Sequence, residues 1–250
     1  MSMIVKDISF SYSKHKILNK ICFEVKGGDC VAVLGTNGVG KSTLLKCLNK
    51  VILAQSGEIS IKEKTLKEMS GDELAKLIGY VPQNESFSDS TVFDAVLLGR
   101  KPYIKWDVTK NDLEIAENVI NALSLDKFSL RKVNRMSGGE MQKVAIARAL
   151  AQQPLVLLFD EPTSNLDLKN QLEVIQIIKD IVREKQISAI VTMHDLNLAL
   201  RFADKFLMMK EGKIYATGGK EIITRENILE VYGVDVSIEN FNGYDVVIPN

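Results

Sequence analysis

The residues best suited to do chemistry begin with LGTNGVGKST, in which Gly35, Gly40, Lys41 and Ser42 match the pattern G-x-x-x-x-G-K-[ST]. Glycine tolerates positive φ and carries no side chain, so the amides of Gly35, Thr36, Asn37, Gly38, Val39 and Gly40 can turn inward around an anion. Lys41 would reach the β- and γ-phosphates of a nucleoside triphosphate and Ser42 a Mg2+ ion. Thr43 continues into a helix whose positive end faces the phosphates. A second group lies in LVLLFDE, an apolar run ending in Asp160 and Glu161. Asp160 can hold the Mg2+ shell, and Glu161 can orient and polarise a water for in-line attack on the γ-phosphate. A third run, ISAIVTMH, ends in His194, whose imidazole can donate to a phosphate oxygen.

The stretch RMSGGEMQ, Arg135 to Gln142, is a second anion cradle without a lysine. Ser137 and Glu140 fit a capping box, the N-cap hydroxyl and the N3 carboxylate each serving the other's amide. A cap needs no pair of glycines, which weaken a helix by about 1 kcal/mol each in interior positions. Bare Gly138 and Gly139 leave amide nitrogens open to a phosphate at a helix N-terminus.

These groups need a scaffold that brings them to one edge. CVAVLG, LVLLFDEP and ISAIVTMH are short apolar runs of the kind buried on both faces of a parallel sheet. KSTLLKCLNK, LKNQLEVIQIIKDIVREK and DLNLALRFA have helical spacing, and strand–helix alternation predicts a parallel sheet covered on both sides. The opening MIVKDISFSY and ILNKICFEV alternate as half-buried antiparallel strands do, and KFLMMKEGKIYATG reads as a hairpin about Glu211 and Gly212. Between Gln83 and Gln153 helical patterns dominate, which predicts an inserted helical lobe. The 32 basic and 32 acidic residues cancel, so no global field favours nucleic acid or an anionic membrane. Cys22, Cys30 and Cys47 have no C-x-x-C spacing and read as reduced thiols. No apolar run approaches the ~20 residues needed to cross a bilayer, so any membrane must come from a partner.

Taken in order, these motifs resemble the ATP-binding cassette family, the ATPase subunits of ABC transporters, over nearly the whole chain. The resemblance implies an α/β P-loop NTPase fold: a RecA-like parallel sheet core, an N-terminal antiparallel β subdomain and an inserted α-helical subdomain. The chain is then one ATPase domain over 1–250, with 1–82 and 154–250 as core and 83–153 as the helical subdomain. It implies ATP and Mg2+ as cofactors. It makes Tyr12 the aromatic that stacks on adenine, Gln83 the glutamine that touches Mg2+, and Glu161 and His194 the catalytic pair. Asp167 belongs to the short loop after the glutamate. Ser137, Gly138, Gly139 and Glu140 match the family's L-S-G-G-Q stretch, which closes over the nucleotide of a second copy. Two departures are Met136 for leucine and Glu140 for glutamine, for which a modest effect is expected.

VLLGRKPYIKW, Val96 to Trp106, is similar to a stretch of the ATPases that serve iron-chelate importers, with Tyr103 replacing a histidine. The expected function is to power uptake of a ferric siderophore, haem or cobalamin. The expected partners are a second copy, two transmembrane permease subunits and, indirectly, an extracytoplasmic cargo-binding protein, with no nucleic acid. The chain would sit at the cytoplasmic face of the cell membrane, peripheral through the permease. Arg100, Lys101, Tyr103 and Trp106 read as the surface receiving a short permease helix. Two alternatives stand beside this: an ABC ATPase of another importer class, or a non-transport nucleotide-binding cassette.

Overall fold

A computed structural model of the protein describes residues 3–85, 87 and 89–250. A first sheet is antiparallel and contains β1 (Met3–Tyr12), β2 (His15–Val25), β4 (Ser56–Ile61) and β5 (Lys64–Thr65), in the order β2-β1-β4-β5. A second sheet holds β3 (Cys30–Leu34), β6 (Ile78–Val81), β7 (Val156–Asp160), β8 (Ser188–Thr192), β9 (Lys205–Lys210) and β10 (Lys213–Gly218). Its order is β10-β9-β3-β8-β7-β6, parallel except for the antiparallel edge pair β9–β10. The α/β class and the antiparallel strands expected from the sequence are both present.

Alternation explains why the central strands read as unbroken apolar runs. Val31, Val33, Leu158 and Ile190 face one core with α1 (Lys41–Leu48) and the antiparallel sheet. Ala32, Leu34, Leu157, Phe159 and Val191 face the other core. That second face is covered by α3 (Val92–Leu97), α4 (Lys110–Ala122), α5 (Gly138–Ala151), α6 (Leu168–Lys185) and α7 (Leu196–Phe202). A strand buried on both sides has no polar face to show. A short α2 (Gly71–Ala75) precedes β6, started by the Ser70–Glu73 capping box. The chain between β6 and β7 forms α3, α4, α5 and 3₁₀ turns, with a single isolated bridge, Thr91 to Lys132, among the described residues. It ends with α8 (Arg225–Tyr232) and a separate hairpin of β11 (Val236–Phe241) and β12 (Tyr244–Pro249).

The VLLGRKPYIKW stretch departs from expectation. Arg100 is 2% exposed, not a surface residue. Its Nε donates to Asp112 Oδ1 at 3.0 Å and its Nη1 to the carbonyl of Ala151 at 2.7 Å. The guanidinium also lies 3.9 Å from the centre of the Tyr103 ring. Gly99 explains the inward turn: a Cβ there would lie 2.2 Å from the carbonyl oxygen of Arg148, so the end of α3 presses directly on α5. Gly99 and Arg100 are thus helix-packing residues. Of the other members of the stretch, Trp106 is 95% exposed, and Tyr103 is half-buried with its hydroxyl donating to the carbonyl of Gln152.

Candidate functional site

Parallel strands β3, β7 and β8 end side by side, so the residues that follow them, Gly35, Glu161 and the Met193–His194 turn, share one edge of the sheet. Ligands of open α/β sheets bind at such an edge. From β3 the chain enters the phosphate loop and then α1, whose N-cap is Gly40 at φ 111. Gly35 has φ 146, and a Cβ on it would meet the Met209 carbonyl oxygen at 2.6 Å. At Gly40 a Cβ would sit 3.1 Å from Ile17. The two glycines are therefore demanded by backbone angle and by crowding from β9 and β2. A cleft of about 170 Å³ opens here, lined by Ile17, Asn37, Gly38, Gly40, Lys41, Ser42, Thr43 and Glu161.

Lys41 is 5% exposed and bridges the loop, its Nζ donating to the carbonyls of Gly35 at 2.8 Å and Thr36 at 3.2 Å. Burial holds its pKa below the usual lysine value, while Glu161 and Asp160 pull the other way. A buried ammonium held only by carbonyls is primed to exchange them for an anion.

Ser42 Oγ donates to Asp160 Oδ1 at 2.9 Å, which fixes a hydroxyl and a carboxylate together across the loop. Two residues the sequence reading missed complete this corner. Thr192, fully buried at the end of β8, donates from Oγ1 to Asp160 Oδ1 at 2.8 Å and accepts the Glu161 amide at 2.9 Å. The Tyr80 hydroxyl on β6 is pushed up to about 12 by burial and by Asp160 beside it. Among the described residues no group of three or more His, Cys, Asp or Glu could hold a metal ion. One carboxylate and one hydroxyl fit Mg2+ well, because Mg2+ keeps several waters and takes its remaining oxygens from phosphates.

Glu161 has φ 47, a left-handed conformation unusual for a residue with a side chain. The Thr192 hydroxyl on its amide, and Ser164 donating through both N and Oγ to its carbonyl at 3.1 and 2.8 Å, hold that turn. The carboxylate accepts Gln83 Nε2 at 2.8 Å. His194 Nδ1 stands 3.9 Å from Glu161 Oε2, beyond hydrogen-bond reach, with a side chain 58% exposed. Glu161 lines the cleft, and His194 stands beside it without being among the lining residues. Tyr12 is not among the cleft's lining residues; it stands 47% exposed at the end of β1, edge-on to Phe10 at 4.8 Å between centroids. Asp167 caps α6, its Oδ1 accepting the Asn170 amide at 2.8 Å.

The second cradle is elsewhere. Ser137 caps α5 with the full reciprocal box: its amide and Oγ donate to Glu140 Oε2 at 2.8 and 3.0 Å, and its Oγ accepts the Glu140 amide at 3.4 Å. The Ser137 amide holds the Glu140 carboxyl below the usual carboxylate range against some burial, helped by the Ser137 hydroxyl, Arg131 and Lys143. The carboxylate is therefore folded back on its own cap. The two glycines differ. A Cβ on Gly139 would lie 2.5 Å from Asn170 Oδ1, whereas one on Gly138 would find only Leu166 Cδ2 at 3.6 Å. At Gly139 a side chain would have to displace the Asn170 amide of α6, a packing constraint that the sequence alone does not reveal. Met136 is 8% exposed and packs in the core. Among the described residues, no hydrogen bond or ion pair joins Ser137–Glu140 to the phosphate loop.

The family described as ABC transporter matches residues 18–164. An uncharacterised ABC transporter ATP-binding protein of Methanocaldococcus jannaschii is 56% identical, covering 100% of this chain and 98% of that protein. The ferric enterobactin transport ATP-binding protein of Escherichia coli is 32% identical, covering 98% of this chain and 92% of its own. A chain from an inward-facing metal-chelate type ABC transporter superposes with a TM-score of 0.88 at 28% identity, covering 100% of this chain and 97% of the other. A dimeric, post-hydrolysis ATP-binding cassette holding ADP and Pi superposes with a TM-score of 0.75 at 28% identity, over 87% of this chain and 98% of that one.

Proposed function

Since the chain belongs to the ABC transporter family, as an ATP-hydrolysing subunit that uses ATP and Mg2+, we propose that it powers uptake of an iron chelate (a ferric siderophore or haem) or of cobalamin through a transmembrane permease. The observation that carries the ATPase reading is the meeting of Lys41, Ser42, Asp160, Thr192 and Glu161 at one sheet edge. The cargo class is supported by likeness to the ferric enterobactin ATPase over almost the entire chain.

In this reading Lys41 leaves the Gly35 and Thr36 carbonyls for the β- and γ-phosphates, and the amides of Gly35–Gly40 wrap the anion. Ser42, Asp160 and Gln83 would hold Mg2+, which neutralises charge building on the phosphate oxygens. Glu161 aligns the attacking water and takes its proton, and His194 donates to the γ-phosphate. Tyr12 supports the adenine ring, and Asp167 closes the far side through the loop after Glu161.

The two cradles share no contact in one chain, which suits a head-to-tail pair in which Ser137, Gly138 and Gly139 of each copy cover the triphosphate of the other. The dimeric cassette with ADP and Pi supports this arrangement. No helix of the described residues is long and apolar enough to cross a membrane. The chain would reach the cytoplasmic face of the cell membrane through its permease, and an extracytoplasmic protein would deliver cargo.

With Arg100 buried, the permease contact shifts to a groove lined by Val51, Leu53, Leu74, Tyr80 and Gln152, where the core meets the helical subdomain, residues 83–153. Val51 and Leu53 are well exposed there. Tyr103 abuts the groove through Gln152, and Lys76 Nζ lies 4.8 Å from the centre of its ring. The test is reconstitution in liposomes with a candidate permease: a ferric siderophore should raise ATP turnover and accumulate inside. Turnover that ignores every iron chelate and cobalamin but responds to another solute would overturn the cargo assignment.

A further inference from the structure

Strands β7 and β8 run in parallel register, and the last pair in that register is Asp160 with Thr192. On its other side Thr192 belongs to the register with β3, opposite Val33. It therefore stands between the strand that leads into the phosphate loop and the strand that ends at the two carboxylates. Its side chain is fully buried, in a strand with no exposed member. Valine has the same branched shape and would suit a strand buried on both faces. Burying a hydroxyl instead costs free energy unless hydrogen bonds offset it.

The bonds that offset it all go to the catalytic edge. Oγ1 has one proton and gives it to Asp160 Oδ1 at 2.8 Å, the nearer acceptor, with the Phe159 carbonyl at 3.4 Å. Ser42 Oγ donates to the same Oδ1 at 2.9 Å. The Thr192 oxygen also accepts the Glu161 amide at 2.9 Å. That amide lies one residue past the end of the β7–β8 register, so a side-chain oxygen stands where a ladder carbonyl would otherwise be needed. Released from the ladder, Glu161 turns to φ 47 and lines the cleft. A residue in so sparsely populated a conformation stays there only when its surroundings hold it. The next amide along β8, that of Met193, donates to the Val33 carbonyl at 3.1 Å, so the chain between Thr192 and His194 is tied to β3. Thr192 is not itself among the residues lining the cleft.

We propose that Thr192 is a positioning residue for both carboxylates. One hydroxyl orients the carboxylate that serves Mg2+ and holds the turn that presents the carboxylate serving water. The inference rests on the reading that ATP is held by Gly35–Thr43, with Asp160 toward Mg2+ and Glu161 as the base. It adds that metal affinity and chemistry fall together when this hydroxyl is lost. Nucleotide binding without metal, which belongs to the loop amides and Lys41, does not.

The test compares the full-length wild type with Thr192→Val and Thr192→Ser. ADP affinity is measured in EDTA, Mn2+ affinity of the ADP complex by electron paramagnetic resonance, and kcat with Mg-ATP. Thr192→Val should bind ADP in EDTA as the wild type does. Its Mn2+ affinity and its kcat should each fall about tenfold or more, the usual effect of removing a group that orients a metal ligand. Thr192→Ser keeps the hydroxyl and should stay close to the wild type in both, whatever its melting temperature. Wild-type Mn2+ affinity and kcat in Thr192→Val would overturn the proposal. Equal losses in the valine and serine variants would overturn it too, because they would trace to the methyl group and its packing. A wild type that binds no nucleotide would overturn the ATPase reading, and this inference with it.

Discussion

Gln83 donates its side-chain amide to the Glu161 carboxylate at 2.8 Å, linking the segment that follows β6 to the residue that follows β7. The carboxylate proposed to align water is thus engaged by the residue proposed to reach Mg2+, and Gln83 must let go for either role. Gln83 is exposed, so it can turn without disturbing the core.

Gln83→Ala should therefore fold as the wild type does and lose activity through chemistry. We expect kcat to fall about tenfold, the weight of one hydrogen bond to a charged group. Stopped-flow ATP turnover and a thermal melt check this together. An unchanged kcat would mean that Gln83 serves neither the metal nor the water.

Gly138 and Gly139 should separate binding from folding. Gly139→Ala drives a Cβ to within 2.5 Å of Asn170 Oδ1 and should cost about 1–3 kcal/mol of stability, part of it restored by adding Asn170→Ala. Gly138→Ala meets nothing closer than 3.6 Å and should melt like the wild type while weakening ATP-dependent dimer formation. Equal destabilisation by both would contradict the packing difference between them.

The Arg100–Asp112 pair makes a prediction about stability and pH. Both side chains are nearly dry, 3% and 4% exposed. Arg100→Ala should destabilise by about 3–5 kcal/mol, because it strands a buried carboxylate. The Thr109 hydroxyl foremost, and then its amide and Arg100, hold the Asp112 carboxyl below its ordinary range. A depressed folded-state pKa stabilises above the unfolded value and loses that contribution as pH falls through the folded one. Urea melts of wild type and Asp112→Asn should converge in acid and diverge toward neutrality. A pH-independent gap would remove Asp112 from the account.

Much of the site was legible because its signals are local in sequence. Lys41 and Ser42 sit inside a contiguous pattern, and Asp160 and Glu161 stand out as charge at the end of an apolar strand. Thr192 and Tyr80 were not legible, since each meets Asp160 only through the order of strands in the sheet, and a threonine or tyrosine ending a strand carries no mark of its partner. Arg100 was misread for a related reason. A basic residue followed by lysine at a helix end looks solvated, and its partner Asp112 already had a visible task as the N3 residue of the Thr109 capping box. Gly139 carries a second constraint beside ligand access, the neighbouring helix at Asn170, which the sequence pattern does not show. Strand order and helix contact are properties of the assembled fold, and no periodicity carries them.

The most direct test of the central claim is light scattering of Glu161→Gln saturated with Mg-ATP, read beside its turnover. The account predicts turnover reduced at least a hundredfold, at the scale of losing a general base, and a stable dimer retaining one ATP per chain. Turnover equal to the wild type, or a strictly monomeric variant at saturating Mg-ATP, would contradict it.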